Sequence, residues 1–221
     1  WVSNLLGIQG IPNSAEEIMV ARDIALAEST GGRIHIAHVS TAGSVELVRQ
    51  SKKRGSLNVT CEVTPHHLTL SDQAVLGQNR GKSPFSPLNV GAYDTNAKVN
   101  PPLRTNTDVE AMVRGLKDGT IDFVATDHAP HSLTEKMRTF DDASFGMSVL
   151  ETALGSLMSL VHANTIDLPT LIERLTSAPS RFLNAKTGSL LAASPADVTI
   201  FDPNAEWTVD PSIFASKGKN T

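Results

Sequence analysis

Apolar residues recur along the chain in two alternating patterns, one with helical spacing and one in short β-branched runs. The helical spacing predicts helices over three segments: 14–30, 43–54 and 107–118. The β-branched runs predict strands over three others: 33–39, 58–64 and 121–125. Because a helix separates each strand from the next, we predict an α/β fold with a parallel sheet and right-handed crossovers.

Capping residues define the ends of these predicted helices. Ser14 and Thr107 are the expected N-caps of the first and third helices, and Gly31 and Gly119 follow their last turns. The basic run 52–54 lies at the end of the second helix, where cations complement the helix dipole. We therefore interpret this run as part of a helix terminus and not as a binding patch.

Residues 71–99 interrupt the alternation of helices and strands. Glycine and proline punctuate a polar stretch there, which predicts a long loop near the strand ends. Loops of this length are often functional lids. Two further helices are predicted after the third strand, over 148–163 and 168–176.

The pattern changes again towards the end of the chain. Short strands are predicted over 196–203 and 207–209, where β-branched and aromatic residues return. We therefore divide the chain into an α/β unit, residues 1–186, and a small β appendage, residues 187–221.

Composition narrows the possible functions. The chain has 221 residues, a formal net charge of −4 and 19% charged residues, which argues against a nucleic-acid-binding protein. No apolar run is long enough to span a membrane. The single cysteine, Cys61, cannot form an internal disulfide and fits a reducing, cytoplasmic compartment. Because the chain opens on Trp1 and closes on a polar run, 215–221, we expect it to be part of a longer protein.

Six of the seven histidines lie on or just after the predicted strands: His35, His38, His66, His67, His128 and His131. In parallel sheets and barrels, ligands bind at the carboxyl ends of the strands. Asp127 ends the third predicted strand among these histidines, and imidazole with carboxylate is a donor set that suits Zn²⁺. The pattern therefore predicts a metal site at this edge of the sheet.

The candidates differ in strength. His38 ends its strand and is the favoured metal ligand, whereas His35 alternates to the other face and is expected to be structural. An unpaired carboxylate at the end of an apolar strand is costly, so Asp127 is the strongest functional candidate. His131 follows the Ala129-Pro130 turn, from which it can reach a substrate.

The remaining histidines and the cysteine have structural explanations. The adjacent His66 and His67 cannot direct both rings to one point, so we expect one of them to support a neighbouring residue. His128 is expected to pack beside the site, and His162, on a predicted helix, to lie at the surface. Cys61 lies in the middle of a strand and is expected to be a core residue.

Four motifs occur in order along the chain: His38-Val39-Ser40-Thr41, Glu62-Val63-Thr64-Pro65-His66-His67-Leu68, Asn100-Pro101-Pro102-Leu103-Arg104 and Ala125-Thr126-Asp127-His128-Ala129-Pro130-His131. With these motifs the chain resembles, from about residue 14 onwards, the dihydroorotases of the long bacterial type in the amidohydrolase superfamily. Relatives that hydrolyse allantoin or hydantoins resemble it less in the last two motifs.

The resemblance implies the C-terminal portion of a metal-dependent (β/α)₈ barrel and part of a small β-sandwich appendage. It also implies the zinc-dependent, reversible hydrolysis of dihydroorotate to N-carbamoyl-aspartate in pyrimidine biosynthesis. His38 then corresponds to a zinc ligand on the sixth barrel strand, and Asp127 to both a zinc ligand and the catalytic acid/base. Asn100 and His131 match substrate-binding positions, and Phe145-Gly146 matches a backbone contact to the pyrimidine ring.

These residue types suit that reaction. Zinc acidifies the water that attacks the ring amide and polarises the amide carbonyl. Asp127 takes the proton of that water and returns it to the departing ring nitrogen. Asn100 offers a donor and an acceptor to the imide edge of the substrate. His131 pairs with the substrate carboxylate or with a ring carbonyl.

Several ligands of the family have no counterpart in this sequence. The His-x-His pair of the first barrel strand, an acidic or modified-lysine bridge, a further histidine and a substrate arginine all precede the sixth strand. We therefore expect about three of the eight barrel strands here. We also expect two zinc ions held mostly by upstream residues, and no activity from these 221 residues alone.

Two other functions remain open. A metal-free, catalytically inactive subunit would serve as a structural partner, for example of aspartate transcarbamoylase, and an allantoinase or hydantoinase would hydrolyse a different cyclic amide. The presence of His38, Asp127, Asn100 and His131 favours a dihydroorotase enzyme. Besides the small-molecule substrate, the resemblance implies a cytoplasmic homodimer without nucleic-acid or membrane partners.

Overall fold

The computed structural model describes residues 1–55, 58–77 and 92–221. Its α-helices in these ranges are α1 (Val2–Leu6), α2 (Asn13–Thr30), α3 (Ala42–Lys53), α4 (Pro65–Thr69), α5 (Asn106–Asp118), α6 (Leu133–Lys136), α7 (Ala153–His162), α8 (Leu168–Leu175) and α9 (Ser177–Phe182). Its strands are β1 (Ile34–Ile36), β2 (Val59–Val63) and β3 (Phe123–Val124). Short 3₁₀ helices span Asp72–Leu76, Thr95–Ala97 and Pro211–Ile213. Among the helices so described, none has both the length and the apolar character needed to cross a membrane.

The three strands form one parallel sheet in the order β1-β2-β3. Ile34 of β1 lies opposite Val59 of β2, and Glu62 of β2 lies opposite Phe123 of β3. Helix α3 connects β1 to β2, and α5 lies between β2 and β3, which confirms the predicted alternation. Because the strands are parallel, their carboxyl ends meet at one edge of the sheet.

The main core lies between the sheet and its helices. Val59, Cys61 and Val63 are at most 1% exposed and face the core, while Thr60 and Glu62 alternate to the other face. Cys61 is therefore confirmed as a core residue, and burial raises the pKa of its thiol to about 12. Apolar side chains of α3, α5, α7 and α8 complete this core.

The predicted carboxyl ends of the helices are confirmed. Gly31 and Gly119 follow α2 and α5 with φ angles of 69° and 81°, a left-handed conformation that glycine adopts without strain. Lys52, in the last turn of α3, donates hydrogen bonds to the Asp122 carboxylate at 2.8 Å and to the Thr120 carbonyl at 2.9 Å. The basic run thus links α3 to the segment before β3.

Both predicted N-cap residues are wrong by two positions, because each helix begins slightly earlier than predicted. Helix α2 begins at Asn13 after an extended Pro12, so Ser14 already lies within the first turn. Helix α5 begins earlier than predicted, and the hydroxyl of Thr105, not that of Thr107, accepts the backbone N–H of Asp108. In both cases the extended residue that precedes the helix sets the start.

Two long predicted segments differ in part from the structure. Residues 148–152, expected to be helical, precede α7, and residues 150–152 form a turn. The described parts of the predicted loop 71–99 contain the two 3₁₀ helices at Asp72–Leu76 and Thr95–Ala97. Residues 78–91 lie outside the described residues, so a lid role for this loop stays a prediction.

The strands predicted over 196–203 and 207–209 are wrong. Residues 187–221 contain no strand, and their regular structure is the 3₁₀ helix Pro211–Ile213. A strand needs a neighbour to take its hydrogen bonds, and the described part of the chain provides none here. Ile200 is accordingly 93% exposed. The division of the chain near residue 187 stays a prediction.

Candidate active site

His38 and Asp127 each follow a strand in an unusual backbone conformation. Their φ angles are +40° and +47°, in the left-handed region that residues other than glycine seldom adopt. Strand β1 ends at Ile36 and β3 at Val124, so both residues lie at the shared carboxyl edge of the sheet. Such conformations cost about 1–3 kcal/mol each and cluster at functional sites. Both residues that the motifs indicate as metal ligands therefore have this conformation, which Tyr93, Asn164, Asn184 and Ala193 share elsewhere among the described residues.

The His38 ring has an unused hydrogen-bonding atom. Its Nδ1 is buried and has no hydrogen-bond partner among the described residues. His38 lines a cavity together with His35, Asn100 and Pro101. A buried nitrogen without a partner is costly, and a bound metal ion or substrate would relieve that cost. Of the predicted site residues, the structure brings His38 and Asn100 together at this cavity.

Glu16, on α2, holds the turn that follows His38. Its carboxylate accepts hydrogen bonds from the backbone N–H groups of Ser40 (2.9 Å) and Thr41 (3.2 Å), and from the Ser40 hydroxyl. Arg104 donates to Ser40 Oγ at 3.0 Å, and its guanidinium lies 3.7 Å from Glu16. Burial lowers the pKa of Arg104, which still remains protonated at neutral pH. The network therefore joins the first motif to the third.

His66 and His67, in α4, are both 3% exposed, and their ring centroids are 4.7 Å apart. His67 Nδ1 lies 2.7 Å from Thr64 Oγ1, and its Nε2 lies 3.0 Å from the Pro101 carbonyl. Since a carbonyl only accepts, Nε2 carries the proton. Neither ring nitrogen of His66 has a partner in the part of the chain that the structure describes. Burial lowers the pKa of His66 to about 3 and that of His67 to about 4, so both rings are neutral.

Asp127 does not occupy the position expected from its sequence. The sequence predicts that Asp127 ends an apolar strand, where a carboxylate is costly, but β3 ends at Val124 and Asp127 is exposed. Water therefore solvates the carboxylate, and its predicted cost of burial is wrong. The candidacy of Asp127 rests instead on its motif, on its positive φ and on its place at the carboxyl edge.

His131, Phe145 and Gly146 lie close together. His131 Nε2 lies 2.7 Å from the Phe145 carbonyl, which only accepts, so Nε2 carries the proton and Nδ1 remains for another contact. Gly146 has a φ of +134°, and a Cβ there would lie 2.9 Å from His131 Nε2 and 2.6 Å from Ala129 Cβ. Only glycine fits this position without a shift of its neighbours.

Two buried lysines hold the same loop. Lys136 is 3% exposed, and its ammonium donates to the carbonyls of Ser144 at 2.8 Å and Gly146 at 2.9 Å. Burial lowers the pKa of Lys136 to about 8. The Lys98 ammonium lies 4.4 Å from the centroid of the Phe145 ring, a cation–π contact. Sequence reasoning missed both lysines, because an isolated lysine in a polar stretch normally indicates an exposed residue.

Three histidines make structural contacts. His35 Nδ1 lies 2.9 Å from Thr60 Oγ1, and its ring stacks on Phe123 with a centroid distance of 5.3 Å. His128 Nδ1 accepts two backbone N–H groups at 3.1 and 3.2 Å. His162 is exposed at the end of α7, on a helix as expected. The contacts of His35 and His128 agree with the structural roles expected for them, and His162 lies at the surface as expected. His35 nevertheless lines the same cavity as His38, so the expectation that it lies on the opposite face is wrong.

Two of the predicted site residues have the chemistry to contribute to a metal site. Within residues 1–55, 58–77 and 92–221, no three His, Cys, Asp or Glu side chains are arranged so that they could hold a metal ion. Strand β2 separates the strands that precede His38 and Asp127, which at normal strand spacing corresponds to about 10 Å. The unpartnered His38 nitrogen and the exposed Asp127 carboxylate are donors that suit zinc. They fit a zinc site as two ligands of a larger set.

Named proteins are similar in sequence to this chain over its whole length. It is 53% identical, over all of its length, to a protein named dihydroorotase from Pelotomaculum thermopropionicum. It is 48% identical to another protein of that name, from Caldanaerobacter subterraneus. The match covers 48% and 47% of these two proteins, so the chain spans about half the length of the curated relatives it matches.

Solved structures show the same fold. The L-hydantoinase (dihydropyrimidinase) of Arthrobacter aurescens matches with a TM-score of 0.78 and 27% identity, over 91% of this chain and 42% of that one. The dihydropyrimidinase of Brevibacillus agri matches with a TM-score of 0.78 and 24% identity, over the same shares of the two chains. A model of the amidohydrolase family matches residues 8–221. The chain therefore belongs to the amidohydrolase family.

Proposed function

We propose that this chain is part of a dihydroorotase, which hydrolyses the ring amide of dihydroorotate reversibly to N-carbamoyl-aspartate in pyrimidine biosynthesis. The main support is the identity of 48% to 53%, across the whole chain, with proteins named dihydroorotase. The placement of His38 and Asp127 at one edge of the sheet agrees with it. In this proposal the three strands belong to a (β/α)₈ barrel, and residues 187–221 belong to a β-sandwich appendage.

Zinc is the cofactor that the proposal requires. When bound, it supplies an acidified water and polarises the carbonyl that is attacked. His38 and Asp127 are the residues of this chain that would hold it, and the unpartnered Nδ1 supports the assignment of His38. We propose two ions, whose other ligands come from the half of the relatives' length that this chain does not span.

Asp127 is the proposed proton carrier. Its carboxylate is exposed at the carboxyl edge, where a substrate has access to it. It takes a proton from the attacking water and delivers it to the ring nitrogen as the C–N bond breaks. The same group thus serves first as general base and then as general acid, and no second proton carrier is needed.

Substrate contacts are assigned to Asn100, His131 and the loop at Phe145-Gly146. Asn100 shares the cavity of His38, and its amide offers a donor and an acceptor to the imide edge. His131 has its Nε2–H engaged with the Phe145 carbonyl, which leaves Nδ1 for the substrate. With both nitrogens protonated, Nδ1–H donates to the substrate carboxylate or a ring carbonyl, whereas in the neutral ring Nδ1 accepts a substrate N–H. The Gly146 N–H already donates to the Lys98 carbonyl at 2.9 Å. A backbone contact to the pyrimidine ring therefore involves the Phe145 side of this loop.

The test uses the intact gene product that contains this chain. We expect it to bind zinc, to cyclise N-carbamoyl-aspartate and to behave as a cytoplasmic homodimer. Turnover without bound zinc would contradict the proposed cofactor. A protein with neither zinc nor turnover would refute the enzyme and favour a structural subunit, for example of aspartate transcarbamoylase.

A second candidate is a hydantoinase or allantoinase. Its support is the fold similarity to L-hydantoinase, with a TM-score of 0.78. The identity to that protein is 27%, against 53% to a protein named dihydroorotase, so dihydroorotate is the preferred substrate. Competition among dihydroorotate, hydantoin and allantoin in one assay separates the two. A higher kcat/KM for hydantoin or allantoin would favour the second candidate.

A further inference from the structure

The terminal segment, residues 215–221, lies against the two loops that carry predicted substrate-binding residues. From sequence alone it is a polar run, yet Asn220 is 4% exposed. Its backbone packs closely on the site, since a Cβ on Gly218 would lie 2.7 Å from Pro130 Cα. An asparagine so deeply buried needs hydrogen-bond partners for its whole amide.

Asn220 finds four such partners in two different loops. Its Oδ1 accepts the backbone N–H of His131 at 2.9 Å and the hydroxyl of Ser148 at 2.9 Å. Its Nδ2 donates to the carbonyls of Ala129 at 3.0 Å and Gly146 at 3.2 Å. Because a backbone N–H only donates and a carbonyl only accepts, these contacts fix the orientation of the amide. Both N–H donors of the side chain are used, and Oδ1 accepts from the His131 N–H and from the Ser148 hydroxyl, whose single proton is shared with the Gly218 carbonyl.

These bonds tie the loop after β3, residues 127–132, to the loop 144–148. The Ser148 N–H also donates to the Asn220 carbonyl at 2.6 Å, and the Ser148 hydroxyl lies 3.0 Å from the Gly218 carbonyl. The two loops are also joined by the hydrogen bond from the Ala129 N–H to the Met147 carbonyl at 3.0 Å, and Asn220 adds side-chain bonds at His131 and Gly146 to either side of it. Shifts of about 1 Å in such positions can cost about 100-fold in activity.

We propose that Asn220 is a positioning residue, which fixes His131 and the Phe145-Gly146 loop for substrate binding. It acts through these residues and does not itself touch the substrate. The inference rests on the proposed function, because His131 and this loop are assigned there as substrate contacts. It adds a role for the terminal segment that neither the motifs nor the predicted site contains.

The chemistry of the amide predicts how variants behave. Asn220→Ala removes all four side-chain hydrogen bonds, including those to the His131 N–H and the Ala129 carbonyl. The Gly146 carbonyl keeps its bond from Lys136, and the Ser148 hydroxyl keeps its contact with the Gly218 carbonyl. Asn220→Asp keeps the size and the acceptor, but places a second oxygen against the carbonyls of Ala129 and Gly146, which cannot donate. The isosteric change should therefore be as harmful as truncation. Asn204, exposed in the same C-terminal region, is the matched control.

The experiment measures kcat and KM for dihydroorotate, zinc content and Tm in the intact gene product. For N220A and N220D we expect KM to rise by about tenfold or more, with zinc content unchanged and kcat affected less than KM. N204A should match the unaltered protein in all four quantities. If N220A or N220D does not fold, Ser148→Ala removes one bond to Asn220 and should raise KM by a smaller factor, about twofold to fivefold.

Different results refute different claims. The positioning role is overturned if the unaltered protein is active and KM changes by less than twofold in N220A, N220D and S148A. The proposed function then still stands. A parallel loss of zinc and kcat at constant KM also overturns the positioning role, because it indicates a general structural role. If the unaltered protein shows no turnover of dihydroorotate, the proposed function fails and the inference fails with it.

Discussion

Replacing Glu16 by alanine tests how the turn after His38 is held. The carboxylate accepts the N–H groups of Ser40 and Thr41 at 2.9 and 3.2 Å, and the Arg104 guanidinium lies 3.7 Å away. Each hydrogen bond to a charged group contributes about 1.5–3 kcal/mol, and removing one partner of a buried ion pair costs about 3–5 kcal/mol. These contributions overlap, and the Glu16 side chain is 13% exposed. We therefore expect E16A to lower the free energy of unfolding by about 3–5 kcal/mol.

E16A should also weaken zinc binding, since losing an interaction that orients a ligand reduces metal affinity by about 10–100-fold. Urea unfolding measures the stability, and zinc titration against a competing chelator measures the affinity, both on the intact gene product. Glu110→Ala is the matched control, because Glu110 pairs with Arg114 at 3.6 Å on an exposed surface. Such pairs contribute less than about 1 kcal/mol. A loss of stability in E16A no larger than that in E110A would refute the reasoning.

Three more predictions concern the sheet edge and the loops around it. Asp127→Asn should reduce kcat by about 10²–10⁴-fold with an unchanged Tm, because asparagine tolerates the left-handed φ as aspartate does; a near-normal kcat would contradict the proton transfer. The free energy of unfolding should fall as pH decreases from about 6.5 towards 4, because the pKa values of His66 and His67 are lowered to about 3 and 4 and only the unfolded chain takes up these protons. Urea unfolding midpoints at each pH measure this dependence. His67→Gln should make stability depend less steeply on pH, and an unchanged dependence would contradict the prediction. Gly146→Ala should lower the free energy of unfolding by about 1–3 kcal/mol, because its Cβ would lie 2.6 Å from Ala129 Cβ at a φ of +134°. An unchanged Tm would contradict this close packing.

The sheet edge could be predicted because it depends on local patterns. Alternating helices and strands imply a parallel sheet, and a parallel sheet brings all carboxyl ends to one edge. Chain order alone therefore places His38 and Asp127 at the same edge of the sheet. The positive φ angles of these two residues could not be predicted, because they depend on the turns that follow each strand.

Glu16, Lys136 and Asn220 could not be found from the sequence. Glu16 contacts Ser40, 24 residues away, and Asn220 contacts Ala129, 91 residues away. A polar residue on a helix or in a tail has the same local pattern whether it is exposed or buried by a distant contact. Only the tertiary fold decides which of these side chains is buried.

The false strands at 196–203 and 207–209 have a related cause. Val198 and Ile200 have the alternation typical of a strand, but they are 59% and 93% exposed. Periodicity predicts which face of a strand would be buried, whereas a strand also needs a neighbour with free hydrogen-bonding groups. The described chain supplies no such neighbour at this place.

The most direct test of the account is zinc dependence of dihydroorotate turnover in the intact gene product. We predict bound zinc, loss of turnover when a chelator removes the zinc, and recovery of turnover when zinc is restored. We also predict a higher kcat/KM for dihydroorotate than for hydantoin. Turnover that persists after the metal is removed, or no turnover of dihydroorotate by the zinc-loaded protein, would contradict it.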